Sequence, residues 1–226
     1  MLTDWPCPLP AGGTSEEYAV AFESGAKHRI LVLPALFDEA NKTRHHTIEI
    51  MRRFEGAGVD SVLPDLPGIN ESLAPLAEQT MESWQAAARA AALHFQSTHV
   101  LTIRAGALLT PMGLSGWRYA PSGGKQAIRA MIRARTIASR EAGIEEKSDD
   151  LVKSGETDGI DLAGYQLGAA MFRGLAAAET PDAGGLTDIA QSDLGAGGGL
   201  WLRAEPDYDA AQADALAAII IMSLLK

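Results

Sequence analysis

The sequence predicts an α/β fold with a mostly parallel central sheet and helices on both faces. Short apolar runs rich in β-branched residues, such as residues 29–34 and 59–64, read as strands buried on both sides. Between them lie segments with apolar residues at helical spacing, such as Ile48, Met51 and Phe54. Gly/Pro-rich turns separate the two kinds of segment. That alternation describes βαβ units, whose ligands sit beyond the carboxyl ends of the strands.

Taken in order, residues 1–16 carry Pro6, Pro8, Pro10, Gly12 and Gly13 and read as an irregular lead-in. Residues 18–23 and 29–34 are strands, 43–54 a helix and 59–64 a strand, which the Asp65-Leu-Pro-Gly68 turn closes. Thr80 opens an alanine-rich helix to Phe95; 100–104 is a strand, and Ala105, Gly106 and Ala107 begin the next helix. Residues 117–120 form a strand, and 125–139 a helix with an arginine-rich face. Residues 141–158 are polar and acidic and suit a loop or lid. Strand 160–163 and helix 167–178 follow, then a Gly/Asp-rich loop at 180–199, a last strand at 200–204 and a last helix at 208–225. The 226 residues suit one domain over 1–226.

Composition narrows the function classes. The formal net charge of −10 argues against a nucleic-acid partner, although Arg44, Arg52, Arg53, Arg118, Arg129, Arg133, Arg135 and Arg140 leave room for a local basic patch. Cys7 is the only cysteine, so no intrachain disulfide and no cysteine-rich metal site is expected. The longest apolar stretch, residues 215–225, is shorter than the roughly 20 residues that span a bilayer. With no basic start followed by an apolar run, a cytoplasmic location is expected, with no integral membrane span. His45 and His46 are adjacent, so on a helix they diverge by about 100° and cannot chelate one metal. No metal and no cofactor is expected.

The order of strand, Asp-Leu-Pro-Gly turn, helix and strand with a tight small-residue turn resembles the front half of an α/β-hydrolase. More specifically, the sequence resembles the exosortase A system-associated hydrolase 2 family. The segments that carry the likeness include Phe37-Asp-Glu-Ala-Asn-Lys-Thr-Arg44, Leu63-Pro-Asp-Leu-Pro-Gly68 and Ile103-Arg-Ala-Gly-Ala-Leu-Leu109. Gly123-Gly-Lys-Gln126, Ala163-Gly-Tyr-Gln-Leu167 and the tail from Trp201 to Glu205 extend it through most of the chain. The resemblance implies a role beside surface-protein sorting or exopolysaccharide production. It leaves the chemistry to be settled by the residues themselves.

Those residues lack a hydrolytic triad. A serine hydrolase of this fold carries its nucleophile in Gly-x-Ser-x-Gly, followed in the chain by Asp or Glu and then His. Here residues 102–106 read Thr-Ile-Arg-Ala-Gly, so Arg104 takes the nucleophile slot. A guanidinium stays protonated and cannot attack a carbonyl. All five histidines (His28, His45, His46, His94 and His99) precede that slot. No catalytic residue is assigned.

Each candidate binding residue has two readings. Arg104, at a strand end beside a helix start, can hold a phosphate, carboxylate or sulfate, or can be a structural arginine paired with a carboxylate such as Asp65. Asn41 and Arg44 follow a strand where related hydrolases build their oxyanion loop; they can orient a ligand, or Arg44 can pair with Asp38 and Glu39. Gly123-Gly124-Lys125 can approach an anion closely or be a plain turn, and lacks the spacing of a Walker A loop. Trp117 and Trp201 can line a pocket or belong to the core. Glu205, near Asp207 and Asp209, can do acid–base work or precede a helix cap.

Three functional readings remain at this point. The first is a catalytically degenerate hydrolase-like protein that binds a small anionic or acyl ligand. The second is a hydrolase acting through Arg104, Glu205 and a water. The third is an assembly subunit that forms a homodimer.

Overall fold

The computed structural model describes residues 1–181 and 184–224. Its seven-stranded sheet has the order β1-β2-β4-β3-β5-β6-β9. These strands are β1 (Leu2–Pro8), β2 (Thr14–Phe22), β3 (Arg29–Leu33), β4 (Asp60–Pro64), β5 (His99–Ile103), β6 (Ser115–Tyr119) and β9 (Leu186–Ile189). β1 and β2 pair antiparallel, as do β2 and β4; from β4 to β9 every pairing is parallel. β7 (Ile160–Leu162) and β8 (Tyr165–Leu167) form a separate antiparallel hairpin.

The period-2 pleat divides each strand between two cores. Leu31 and Leu33 of β3 join a cluster with Trp84, Ala87, Met131 and Phe172. Those partners lie on α2 (Met81–His94), α3 (Gly124–Glu141) and α5 (Ala169–Ala177). Ile30 and Val32 point the other way, into a cluster with Ile50, Phe54, Leu216 and Ile220 of α1 (Asp38–Gly56) and α6 (Ala210–Leu224). α2 starts where Thr80 predicts: the Thr80 hydroxyl accepts from the Ser83 N–H at 3.1 Å, and Ser83 Oγ accepts from the Thr80 N–H at 2.9 Å.

Several segments differ from the sequence expectation. Residues 1–16 are not an irregular lead-in: they form β1 and the start of β2. Pro6 and Pro8 are tolerated because β1 is an edge strand, where a missing N–H costs no interior ladder bond. The 141–158 segment contains α4 (Ser148–Thr157), which buries Leu151 and Gly155. Within 180–199 lies β9, tied to β6 by Arg118, whose Nε donates to Asp188 at 2.5 Å across the register pair; residues 182–183 lie outside the described residues. The 160–163 strand sits in the small hairpin instead of the main sheet. Residues 200–204 are no strand but a 3₁₀ turn, Leu200–Leu202. The last helix is expected to reach 225, a residue outside the described ones.

No helix among the described residues is long and apolar enough to cross a membrane.

Candidate functional site

β5 delivers Arg104 to a sharp strand-to-helix turn with φ 52°, a left-handed conformation that is costly for a residue with a Cβ. The turn continues as a 3₁₀ helix, Arg104–Leu109. It presses directly on the end of β3, because a Cβ on Gly106 would lie 2.2 Å from the Pro34 carbonyl oxygen. Only glycine allows that approach. The loop after β3 turns at Phe37, also left-handed at φ 57°, and α1 starts at the next residue. Elbow and loop therefore face each other across the carboxyl ends of β3 and β5.

Arg104 is 7% exposed, and its guanidinium is held on three sides. Nε donates to Glu39 Oε2 at 3.0 Å, Nη2 to Glu39 Oε1 at 3.2 Å, and Nη1 to the Ala120 carbonyl at 2.8 Å. This two-toothed Arg–carboxylate geometry is the strong form of the ion pair. The Trp201 ring covers the guanidinium at 4.3 Å and meets Tyr119 edge-on at 5.7 Å. Tyr119 Oη donates to Gln191, whose Nε2 donates to Gln212 Oε1 at 3.1 Å. Burial raises the Tyr119 pKa, against Arg104 and with Asp209 adding, so its hydroxyl acts as a neutral donor.

The residues named from sequence are not all brought together. Arg104 pairs with Glu39 and not with Asp65. Asp65 instead accepts from Arg44 Nη1 at 3.2 Å and Asn70 Nδ2 at 2.6 Å, and burial still raises its pKa against both donors. Nor does Arg44 pair with Asp38 or Glu39. With α1 starting at Asp38, Asp38 and Lys42 share a helix face and meet at 2.8 Å. Asn41 is exposed and donates to Tyr165 Oη at 2.9 Å. Trp117 is a core residue stacked on His99 at 5.7 Å, on the α1/α6 side. Glu205 is exposed, with no ion pair or hydrogen bond among the described residues. Gly124 serves packing, since a Cβ there would lie 1.8 Å from the Leu175 carbonyl oxygen of α5.

Glu39 and Trp201 also form part of the wall of an open cleft of about 460 Å³, which they separate from Arg104; Arg104 itself borders a second hollow with Ala120, Pro121, Gln191 and Asp193. Such a volume falls within the roughly 300–1,000 Å³ of small-molecule sites. One wall is the start of α1, with Phe37, Asp38, Glu39 and Lys42; the opposite wall is α3, through Ala127, Met131, Arg133, Ala134 and Ile137. Residues 201–204 supply the third side. No histidine lines the cleft, and among the described residues no group of three or more His, Cys, Asp or Glu side chains is placed to hold a metal ion. Sequence reasoning missed Glu39 as the partner of Arg104, because starting α1 at residue 43 left Glu39 in a loop. It also missed the α3 wall, although apolar or small residues recur there at helical spacing.

No family model matches the sequence, and no curated protein matches it. Solved structures do. The mouse alpha/beta hydrolase domain-containing protein 10 is similar at TM-score 0.54 and 12% identity, over 100% of both chains. Est1E from Butyrivibrio proteoclasticus, solved with ferulic acid, is similar at TM-score 0.54 and 10% identity, over 92% of this chain and 95% of that one. A structure from Agrobacterium vitis S4 is matched over 60% of its own length and 62% of this chain, at TM-score 0.47 and 14% identity. At such identities the likeness speaks to architecture alone. Strand order, elbow and full-length neighbours agree: the chain has an α/β-hydrolase fold.

Proposed function

We propose that this chain is a catalytically degenerate α/β-hydrolase-fold protein that binds an anionic or acyl ligand in the cleft walled by Glu39 and Trp201, the two residues packed on Arg104. Its setting, following the family it resembles, is a cytoplasmic step associated with an exosortase or exopolysaccharide system. One observation carries the reading: the elbow position that presents a nucleophile in hydrolases presents Arg104, locked by Glu39 and the Ala120 carbonyl. A protonated guanidinium, here with three of its five N–H donors engaged, can neither attack a carbonyl nor accept a proton. Behind it, chain order supplies Gln191 after β9 and Trp201 before α6, and neither side chain is a base. What the site retains is a cleft of ligand size with mixed walls.

The test is a panel of p-nitrophenyl esters from acetyl to dodecanoyl, run beside a calorimetric screen of the corresponding acids and alcohols. No turnover above buffer and saturable binding of at least one compound are expected. Ester turnover that disappears in Arg104→Ala would overturn the reading.

A further inference from the structure

The charges around the cleft identify the ligand class more closely; this step rests on the binding role proposed above. Four of the five charged side chains lining the cleft already have partners. Lys42 is held by Asp38 at 2.8 Å, Glu39 is held by Arg104 at 3.0 Å, and Arg203 is held by Asp207. Arg133 is the exception: its side chain has no ion pair and no hydrogen bond among the described residues, and it is exposed. On the same wall, one and four residues along α3, Ala134 and Ile137 present small and apolar surface to the cleft. Leu202, 77% exposed, forms part of the third side. The cleft thus combines one uncompensated positive charge with an apolar floor, in a chain whose formal net charge is −10.

We infer that the cleft binds a single-chain amphiphile with one negative charge, a medium-chain carboxylate. The head group pairs with Arg133, and the chain lies between α3 and the Phe37/Trp201/Leu202 side. Arg104 is not the anion seat. Its fork is filled by Glu39, so its part is positional: it holds Glu39 and Trp201 in place as cleft wall. A dianionic head group would leave one charge without a partner, across the cleft from the Asp38 and Glu39 carboxylates, which disfavours phosphate monoesters. A cationic head group would face Arg133 directly.

Titration calorimetry on the intact protein tests this with octanoate, decanoate and dodecanoate, set against dodecanol and dodecyltrimethylammonium. Affinity is expected to rise about fourfold per added methylene until the cleft is filled. Dodecanoate is expected to bind at least tenfold more tightly than dodecanol, and the cation not to compete. Arg133→Ala should reduce dodecanoate affinity about tenfold and leave dodecanol unchanged, while Arg133→Lys keeps most of it. Ala134→Trp, on an exposed helix position, should block both. Equal binding of dodecanoate and dodecanol, an unchanged Arg133→Ala, or tighter binding of the cation would each overturn the inference. Those outcomes leave the non-hydrolytic reading standing, whereas ester turnover removes that reading whatever the calorimetry gives.

Discussion

Arg104 and Glu39 join the two halves of the site: the guanidinium at the end of β5 forks onto a carboxylate in the first turn of α1, at 3.0 and 3.2 Å. The pair is mostly screened from water, with 9% and 21% of the two side chains exposed. Removing one member leaves the other charge buried without its counterpart, which is the costly way to break such a contact.

Glu39→Ala is therefore expected to lower stability by about 2–3 kcal/mol, read as a fall in the urea midpoint at constant slope. The double variant Glu39→Leu/Arg104→Met should recover most of that loss, since an apolar pair of similar size carries no stranded charge. A single variant within about 0.5 kcal/mol of wild type would show that solvent already compensates the pair.

Restoring a hydroxyl at the elbow should not restore hydrolysis. Arg104→Ser has the nucleophile atom, but no histidine lines either the cleft or the hollow that residue 104 itself borders to take its proton. Turnover of p-nitrophenyl acetate is expected to stay at background. Measurable turnover in this variant would mean that a base other than histidine reaches the elbow.

Gly106→Ala is expected to destabilise by about 1–3 kcal/mol, because its Cβ would meet the Pro34 and Leu33 carbonyl oxygens at 2.2 and 2.8 Å. Gly113→Ala is a useful contrast, since open space surrounds that position although its φ is +89°. Thermal unfolding of the two variants separates contact from backbone strain. Gly106 has no left-handed φ, so a loss there below about 0.5 kcal/mol would show that the elbow can shift away from β3.

His46 should impose a pH slope on stability. It is 2% exposed on α1, and neither ring nitrogen has a hydrogen-bond partner. Burial lowers its pKa from 6.5 to about 4, against Asp209, with Arg53 and His45 adding. Between those two values the unfolded chain binds the proton and the folded chain does not. The contribution of His46 is thus fully present above pH 6.5 and lost as pH falls towards about 4, a change of about 3 kcal/mol. His46→Leu should flatten that part of the stability–pH curve. An unchanged slope would place the titrating group elsewhere.

How far the sequence reveals this architecture depends on where each signal lies. β3, β4 and β5 are largely apolar runs between turns, and β6 alternates Trp117 and Tyr119 with Arg118; such buried faces leave little choice of reading. The β1–β2 hairpin escaped because Pro6 and Pro8 are strong breakers, and only the sheet order explains why an edge strand accepts them. The inward alternation of Trp5 and Cys7 was the signal for it. β9 has Thr187 and Asp188 at its centre and so looks like loop; its strand character comes from pairing with β6. At the site, Arg104 at the elbow followed from position alone. Glu39 did not, because a salt bridge between residues 65 apart in sequence is fixed by the packing of the elbow on β3, which no local pattern encodes.

The pairing of β6 with β9 also has a consequence in time. The two strands are spatial neighbours, yet α3, α4, the β7–β8 hairpin and α5 lie between them in the chain. During synthesis the outer edge of β6, with its row of unpaired N–H and C=O groups, waits until residue 189 has emerged. Such late, long-range pairing is slow and leaves a sticky edge open to other chains. The ion pair between Arg118 and Asp188 forms only when the strands meet, so it marks the point at which that edge closes, before α6 packs on.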